Sequence, residues 1–247
     1  MRNNIYDSDF FNYHTEYSLN SANEIIPLIK KYFSFNSVVD IGCGNGAWLS
    51  VFEKYDVKVL LGIDVGDLKD EEYKINKKNI INNFDLDRTI IPVDIKFDLL
   101  VCLEVVEHLK KRNSEKFIGN ITKISDVILF SAAIPGQLGV NHVNEQLPDF
   151  WRKKFAKYNF IELNLLRPLL WNNSLVAWWY KQNITLYVNK QIINSNQNLL
   201  HIYNQQEEYL KKNERLTLVS ERILKQYQNK IFFDIYYFVK HKLFKRY

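Results

Sequence analysis

Glu104, Glu107 and His108 stand together in the run Leu103-Glu-Val-Val-Glu-His-Leu109, and His142 stands in the later run Pro135-Gly-Gln-Leu-Gly-Val-Asn-His-Val-Asn-Glu145. If the chain turns helical after Leu103, the i, i+3, i+4 spacing places the first three on one face. Two carboxylates with imidazoles form a hard-to-intermediate donor set suited to Mg2+, Mn2+ or Fe2+, whereas a structural zinc site would draw on cysteines. Glu104, Glu107, His108 and His142 are therefore the candidate metal ligands. Without a metal the same cluster offers acid–base chemistry, with His142, His108 and Glu104 as the candidate catalytic groups.

A second constellation is Asp40-Ile-Gly-Cys-Gly-Asn-Gly46. The 247-residue chain has only eight glycines, and Gly42, Gly44 and Gly46 fall within five positions. Glycines at the carboxyl end of a strand let a ligand approach the backbone, and that is where open α/β sheets bind their ligands. The pattern Gly42-x-Gly44-x-x-Ala47 also satisfies the looser dinucleotide-binding fingerprint. Asp64, about 20 residues on, can accept ribose hydroxyls from either nucleotide type.

Farther along, Asn144, Glu145, Trp151, Arg167, Trp171, Trp179 and Tyr180 combine aromatic faces with amide, carboxylate and guanidinium groups. Four of the five tryptophans, at 151, 171, 178 and 179, lie in this stretch. Sugar rings offer apolar C–H faces and hydroxyl edges, so the set suits a saccharide. Any one of these tryptophans alone would more often pack a core.

Elements that must position these groups follow from periodicity. Strands are expected at 37–41, 57–63, 79–81, 97–103, 127–132, 160–163 and 184–188, with helices at 47–54, 114–124, 149–157 and from 197 onward. Strands alternating with helices imply an α/β fold with a mainly parallel, doubly wound sheet. Residues 1–30 form an N-terminal segment whose Tyr6, Tyr13, His14 and Tyr17 suit either a lid or a packing helix. Residues 31–192 form the main domain, and residues 193–247 a helical extension.

Composition narrows the partners. Charged residues at 25% and apolar residues at 47% exclude a disordered chain. The net charge of +5 is modest and the basic residues are dispersed, so a nucleic-acid partner is not expected. Cys43 and Cys102 are isolated, and no basic-then-apolar leader stands at the start, which suits a cytoplasmic protein. No run reaches the roughly 18 apolar residues of a membrane span. The aromatic stretch 231–239 followed by a basic cluster either packs on protein or lies on an anionic membrane surface.

The chain resembles class I S-adenosylmethionine-dependent methyltransferases through Val39-Asp-Ile-Gly-Cys-Gly-Asn-Gly46, Gly62-Ile-Asp64, Phe84-Asp-Leu86 and Phe97-Asp-Leu-Leu-Val-Cys-Leu-Glu-Val-Val-Glu-His-Leu109, in order over residues 20–190. That resemblance implies a Rossmann-like seven-stranded sheet and a methyl-transfer reaction. By it, Gly42, Gly44 and Gly46 surround the methionine part of the cofactor, Asp40 meets its amino group and Asp64 its ribose. Asp85 and Leu86 meet the adenine, with Val65 and Leu103 beside them. Glu-x-x-Glu-His with a later loop histidine is similar to the metal site of small-RNA 2′-O-methyltransferases, and Glu-Val-Val-Glu-His to ubiquinone-biosynthesis O-methyltransferases. Tyr6-Asp-Ser-Asp-Phe-Phe, His142-Val-Asn-Glu-Gln and Trp179-Tyr-Lys-Gln-Asn resemble methyltransferases found with bacterial and viral surface-glycan biosynthesis, with Leu147 departing from the usual aromatic. The expected activity is O-methylation of a sugar hydroxyl on a glycan, nucleotide sugar or lipid-linked saccharide, with Mg2+ or Mn2+ as a possible helper. The alternatives are RNA 2′-O-methylation, methylation of a small phosphorylated capsule precursor, an NAD-dependent oxidoreductase or a non-catalytic nucleotide-binding module.

Overall fold

The structure, a computed structural model, describes residues 8–88, 91 and 95–212, with side chains from residue 15 to residue 210 within those spans. The chain runs α1 (Ser8–Lys30), β1 (Ser37–Ile41), α2 (Ala47–Lys54), β2 (Val59–Ile63), β3 (Ile80–Ile81), β4 (Leu99–Leu103), α3 (Ser114–Ile124), β5 (Val127–Ser131) and α4 (Pro148–Ala156). It continues through β6 (Phe160–Leu163), α5 (Arg167–Leu170), α6 (Trp178–Asn183), β7 (Thr185–Asn189), α7 (Lys190–Ser195) and α8 (Gln197–Lys212). The seven strands among the described residues make one sheet in the order β3-β2-β1-β4-β5-β7-β6. All neighbours are parallel except β5 with β7 and β6 with β7.

Alternation along the strands splits the core in two. Val38, Leu99, Val101 and Leu129 face α1 and α2, whereas Val39, Ile41, Leu100, Cys102, Ile128 and Phe130 face α3 and α4. On α1, Ala22, Ile25, Ile26 and Ile29 recur at the helical period and are wholly buried, so this helix packs as part of the domain. Strand β1 lies between β2 and β4, so the chain winds away from it in both directions. The crevice at the carboxyl ends of β1 and β4 is thus the topological switch point where such sheets bind ligands.

Two expectations change here. The chain after β4 does not turn helical: Glu104 has a left-handed φ of 56°, and His108 N–H bonds Val105 C=O at 3.0 Å in a tight turn. Glu104, Glu107 and His108 therefore share no helical face. The aromatic run from Trp178, expected only as a patch before a strand, is the short helix α6. Of the lid residues, Tyr6 and the side chains of Tyr13 and His14 lie outside the described residues, as does the tail 231–247. Among the described residues no helix is long and apolar enough to cross a membrane.

Candidate active site

At the switch point the structure opens a cavity of about 490 Å3. Its lining includes Asp40, Gly42 and Gly44 together with Glu104, His108, His142 and Trp179. Leu103 lines it as well, as do Thr15 and Ser18 of α1 and Tyr180 of α6. Asn45 donates to Thr15 Oγ1 at 2.7 Å, and Trp48 Nε1 donates to the Tyr180 hydroxyl at 3.3 Å, so α1, the glycine turn and α6 are tied together.

The glycines divide by role. Gly42, at φ 78°, holds its α-carbon so close to Val105 that a Cβ would lie 2.3 Å from Cγ2, so the site is closed by protein. Gly44, at φ 54°, has no atom of the described residues within 4 Å of where a Cβ would stand, which leaves open space beside it among them. Gly46 lies outside the cavity lining and its missing Cβ makes room for Ile75, so its part is packing rather than contact with a ligand.

Asp40 is 3% exposed, and burial with neighbouring Asp64 pushes its carboxyl well above the usual carboxylate range. Such a group favours a cationic partner. Asp64 accepts from Gly44 N–H and Gly66 N–H, each at 2.7 Å, and so clamps the turn to the end of β2. Asp64, Val65, Asp85 and Leu86 all lie beyond the cavity wall. Val65 is exposed, Asp85 pairs with Arg88 at 3.3 Å, and Leu86 packs on the α3 side of the core.

Glu104 is committed within the protein. Gln137 Nε2 donates to it at 2.6 Å and Asn183 Nδ2 at 3.1 Å, while Asn183 also donates to Gln137 Oε1 at 2.8 Å. Burial raises the Glu104 carboxyl, against the lowering effect of these donors. The four-residue metal set contracts accordingly: Glu107, His108 and His142 offer ligand atoms within 4.8 Å of one another, without Glu104. Glu107 Oε1 accepts from Ala133 N–H at 3.2 Å, while its buried Oε2 receives no donor among the described residues and the Glu104 carboxyl stands close enough to share a proton with Glu107. Burial and then Glu104 push the Glu107 carboxyl well up, and burial and then His142 lower the His108 imidazole.

Most of the expected acceptor residues lie elsewhere. Trp151 is 2% exposed in the core on the α3 and α4 face, its ring 5.6 Å from that of Phe130, because the buried side of α4 turns toward the sheet. Arg167 is buried and paired with Glu162 at 3.3 Å. Asn144 is buried and donates to Val106 C=O and Ser114 Oγ, holding the loop to α3. Glu145 accepts from the backbone of its own loop, and Trp171 at the end of α5 does not line the cavity. Trp179 and Tyr180 do line it, joined by Trp178. Gln137 and Thr15 carry no local signal in the sequence, being an ordinary amide and hydroxyl with distant partners, and Asn183 stands there only as the end of the Trp179-Tyr-Lys-Gln-Asn motif, with no role of its own.

A profile of the family described as a methyltransferase domain matches residues 17–180. The sequence matches no curated protein. Among solved structures, DesVI of Streptomyces venezuelae is similar with a TM-score of 0.53 at 11% identity, over 73% of this chain and 96% of that one. The plantazolicin methyltransferase BpumL in complex with SAH gives 0.51 at 17% identity, over 74% and 91%. Magnesium protoporphyrin IX methyltransferase (ChlM) from Synechocystis PCC 6803 with bound SAH gives 0.50 at 16%, over 71% and 83%. At these identities the structures speak for the fold, a Rossmann-like sheet of seven strands, and the profile, over most of the chain, speaks for the family. The chain belongs to the methyltransferase-domain family and is an S-adenosylmethionine-dependent methyltransferase.

Proposed function

We propose that the enzyme methylates a hydroxyl of a saccharide, as a free glycan, a nucleotide sugar or a lipid-linked sugar. The observation that carries this is one cavity lined by a carboxylate and glycines together with imidazoles and tryptophans. The residues present fit S-adenosylmethionine: Asp40 is a buried carboxylate suited to an ammonium, and Gly44 leaves open space beside the backbone. When bound, the cofactor supplies an electrophilic methyl on a sulfonium. Asp40 and the turn at Gly42–Gly44 orient it, and Trp178 and Trp179 offer faces for a sugar ring. His142 would hold the acceptor hydroxyl and take its proton at a ring nitrogen as the hydroxyl receives the methyl.

A divalent cation is a second reading, favoured by the clustering of a Glu107 carboxylate oxygen with the imidazoles of His108 and His142. Glu107, His108 and His142 would hold it, and it would lower the pKa of a bound hydroxyl. The test is incubation with 13C-methyl-labelled S-adenosylmethionine and panels of glycans, nucleotide sugars and lipid-linked sugars, with RNA as a control. A methoxyl carbon resonance on a sugar is expected. Label on a ribose 2′-oxygen of RNA, or on nitrogen or carbon only, would overturn the saccharide assignment.

A further inference from the structure

We propose that Glu145 is a positioning residue: its carboxylate determines which ring nitrogen His142 offers to the acceptor. This rests on the role given to His142 above. Glu145 Oε2 accepts from Gly136 N–H at 2.8 Å, and Oε1 accepts from Leu138 N–H at 3.0 Å while standing 2.9 Å from His142 Nδ1. Backbone N–H groups can only donate, so both carboxylate oxygens act as acceptors here. The remaining contact is satisfied only if Nδ1 carries the ring proton. In the neutral ring Nε2 is then left with its lone pair, the form needed by a general base and equally by a metal ligand.

The rest of the loop holds the ring in that pose. Gly139 has no side chain, and a Cβ there would lie 2.2 Å from His142 Nε2, so the glycine provides the space occupied by that ring edge. The His108 ring meets His142 edge-on with centroids 4.9 Å apart. Val143 N–H and Asn144 N–H both bond Glu107 C=O, at 2.9 and 3.0 Å, tying the far side of His142 to the turn after β4. Leu138 and Asn141 adopt left-handed φ values of 60° and 59°, conformations that persist only where the surroundings impose them. Glu145 caps two donors of that strained turn and grips the imidazole with the same group. One carboxylate thereby couples loop shape to tautomer.

The test uses the full chain with S-adenosylhomocysteine bound and histidine labelled with 15N, the His142 signals being assigned by their loss in His142→Gln. Wild type is expected to show a protonated Nδ1 and a bare Nε2. Glu145→Gln should yield a mixed or reversed tautomer and lower kcat about 10–100-fold, the range typical of lost orienting partners, with KM for S-adenosylmethionine within about two-fold. Retention of both tautomer and kcat in Glu145→Gln would overturn the proposal. Gly139→Ala, which pushes on the ring and leaves Glu145 intact, should lower kcat in the same way; wild-type kcat there would also overturn it. Full activity in His142→Gln would instead remove His142 from the reaction, whatever the Glu145 spectrum shows.

Discussion

Replacing Gly42 and Gly44 separately by alanine should damage different properties. At Gly42 the new methyl meets the buried Val105 side chain at 2.3 Å, and the backbone is left-handed. Left-handed strain of about 1–2 kcal/mol and overpacking of about 1–3 kcal/mol combine to roughly 2–5 kcal/mol. For a chain of this size that lowers Tm by roughly 5–20 °C. At Gly44 no atom of the described residues lies within 4 Å of the new Cβ, so only the strain remains and Tm falls by roughly 2–8 °C. The open space beside Gly44 is the proposed seat of the cofactor, so there the methyl competes with the ligand. A clash of about 1–3 kcal/mol weakens binding roughly 5–150-fold. Thermal melts of both variants, with calorimetric titration of S-adenosylhomocysteine, read the two effects apart. Wild-type affinity in Gly44→Ala would refute the placement of the cofactor. Equal loss of stability in both variants would refute the division between a packing glycine and a binding glycine.

Other outcomes follow from the same geometry. Asp40 titrates above the usual carboxylate range when alone, and an ammonium beside it favours the ionised form. Cofactor binding should therefore release protons and tighten as pH rises toward the free-state pKa; calorimetry in buffers of different ionisation enthalpy would show the release, and no release would separate Asp40 from the ammonium. Trp179→Ala should raise KM for a saccharide acceptor roughly 2–10-fold, the worth of one aromatic face, with little change in kcat; an unchanged KM would take that ring off the acceptor. If Glu107, His108 and His142 hold a cation, Mn2+ should give a protein-bound paramagnetic resonance signal that Glu107→Gln abolishes, and activity should fall in chelator. No bound signal in wild type at millimolar Mn2+ would discard the cation.

The parts of this architecture that were legible in the sequence are those governed by short-range rules. The short buried run Ser37-Val-Val-Asp-Ile41, three glycines and an apolar helix stripe sufficed for β1, the turn and α2, and the same logic located the other strands to within a few residues. The turn after β4 was misread because Glu104, Glu107 and His108 fit a helical spacing as well as a tight turn. Only the left-handed backbone at Glu104 decides between them. Residue type revealed that Trp151 and Arg167 were unusual but not which face they would occupy. Trp151 is turned to the α4 side of the sheet, and Arg167 is neutralised by Glu162 five residues before it. The Glu104 network was illegible for another reason: Gln137 and Asn183 reach it from 33 and 79 positions away, and a common amide advertises nothing until the fold brings it in.

The ties between α1 and the far end of the domain bear on how the protein is made. Asn173 donates to Glu24, the Ala177 N–H to Ser21, and the Tyr180 hydroxyl meets Ser18, across separations of 149 to 162 positions. During synthesis the first helix leaves the ribosome long before these partners exist, with α2 as its principal early packing partner. Strand β7, inserted between β5 and β6, is likewise late to arrive. The glycine turn emerges early, but the pocket it serves acquires its side wall only once residue 180 is free to fold back. Cofactor capture is therefore a late event in the life of the nascent chain, and a ribosome-stalled fragment short of α6 should not retain the ligand.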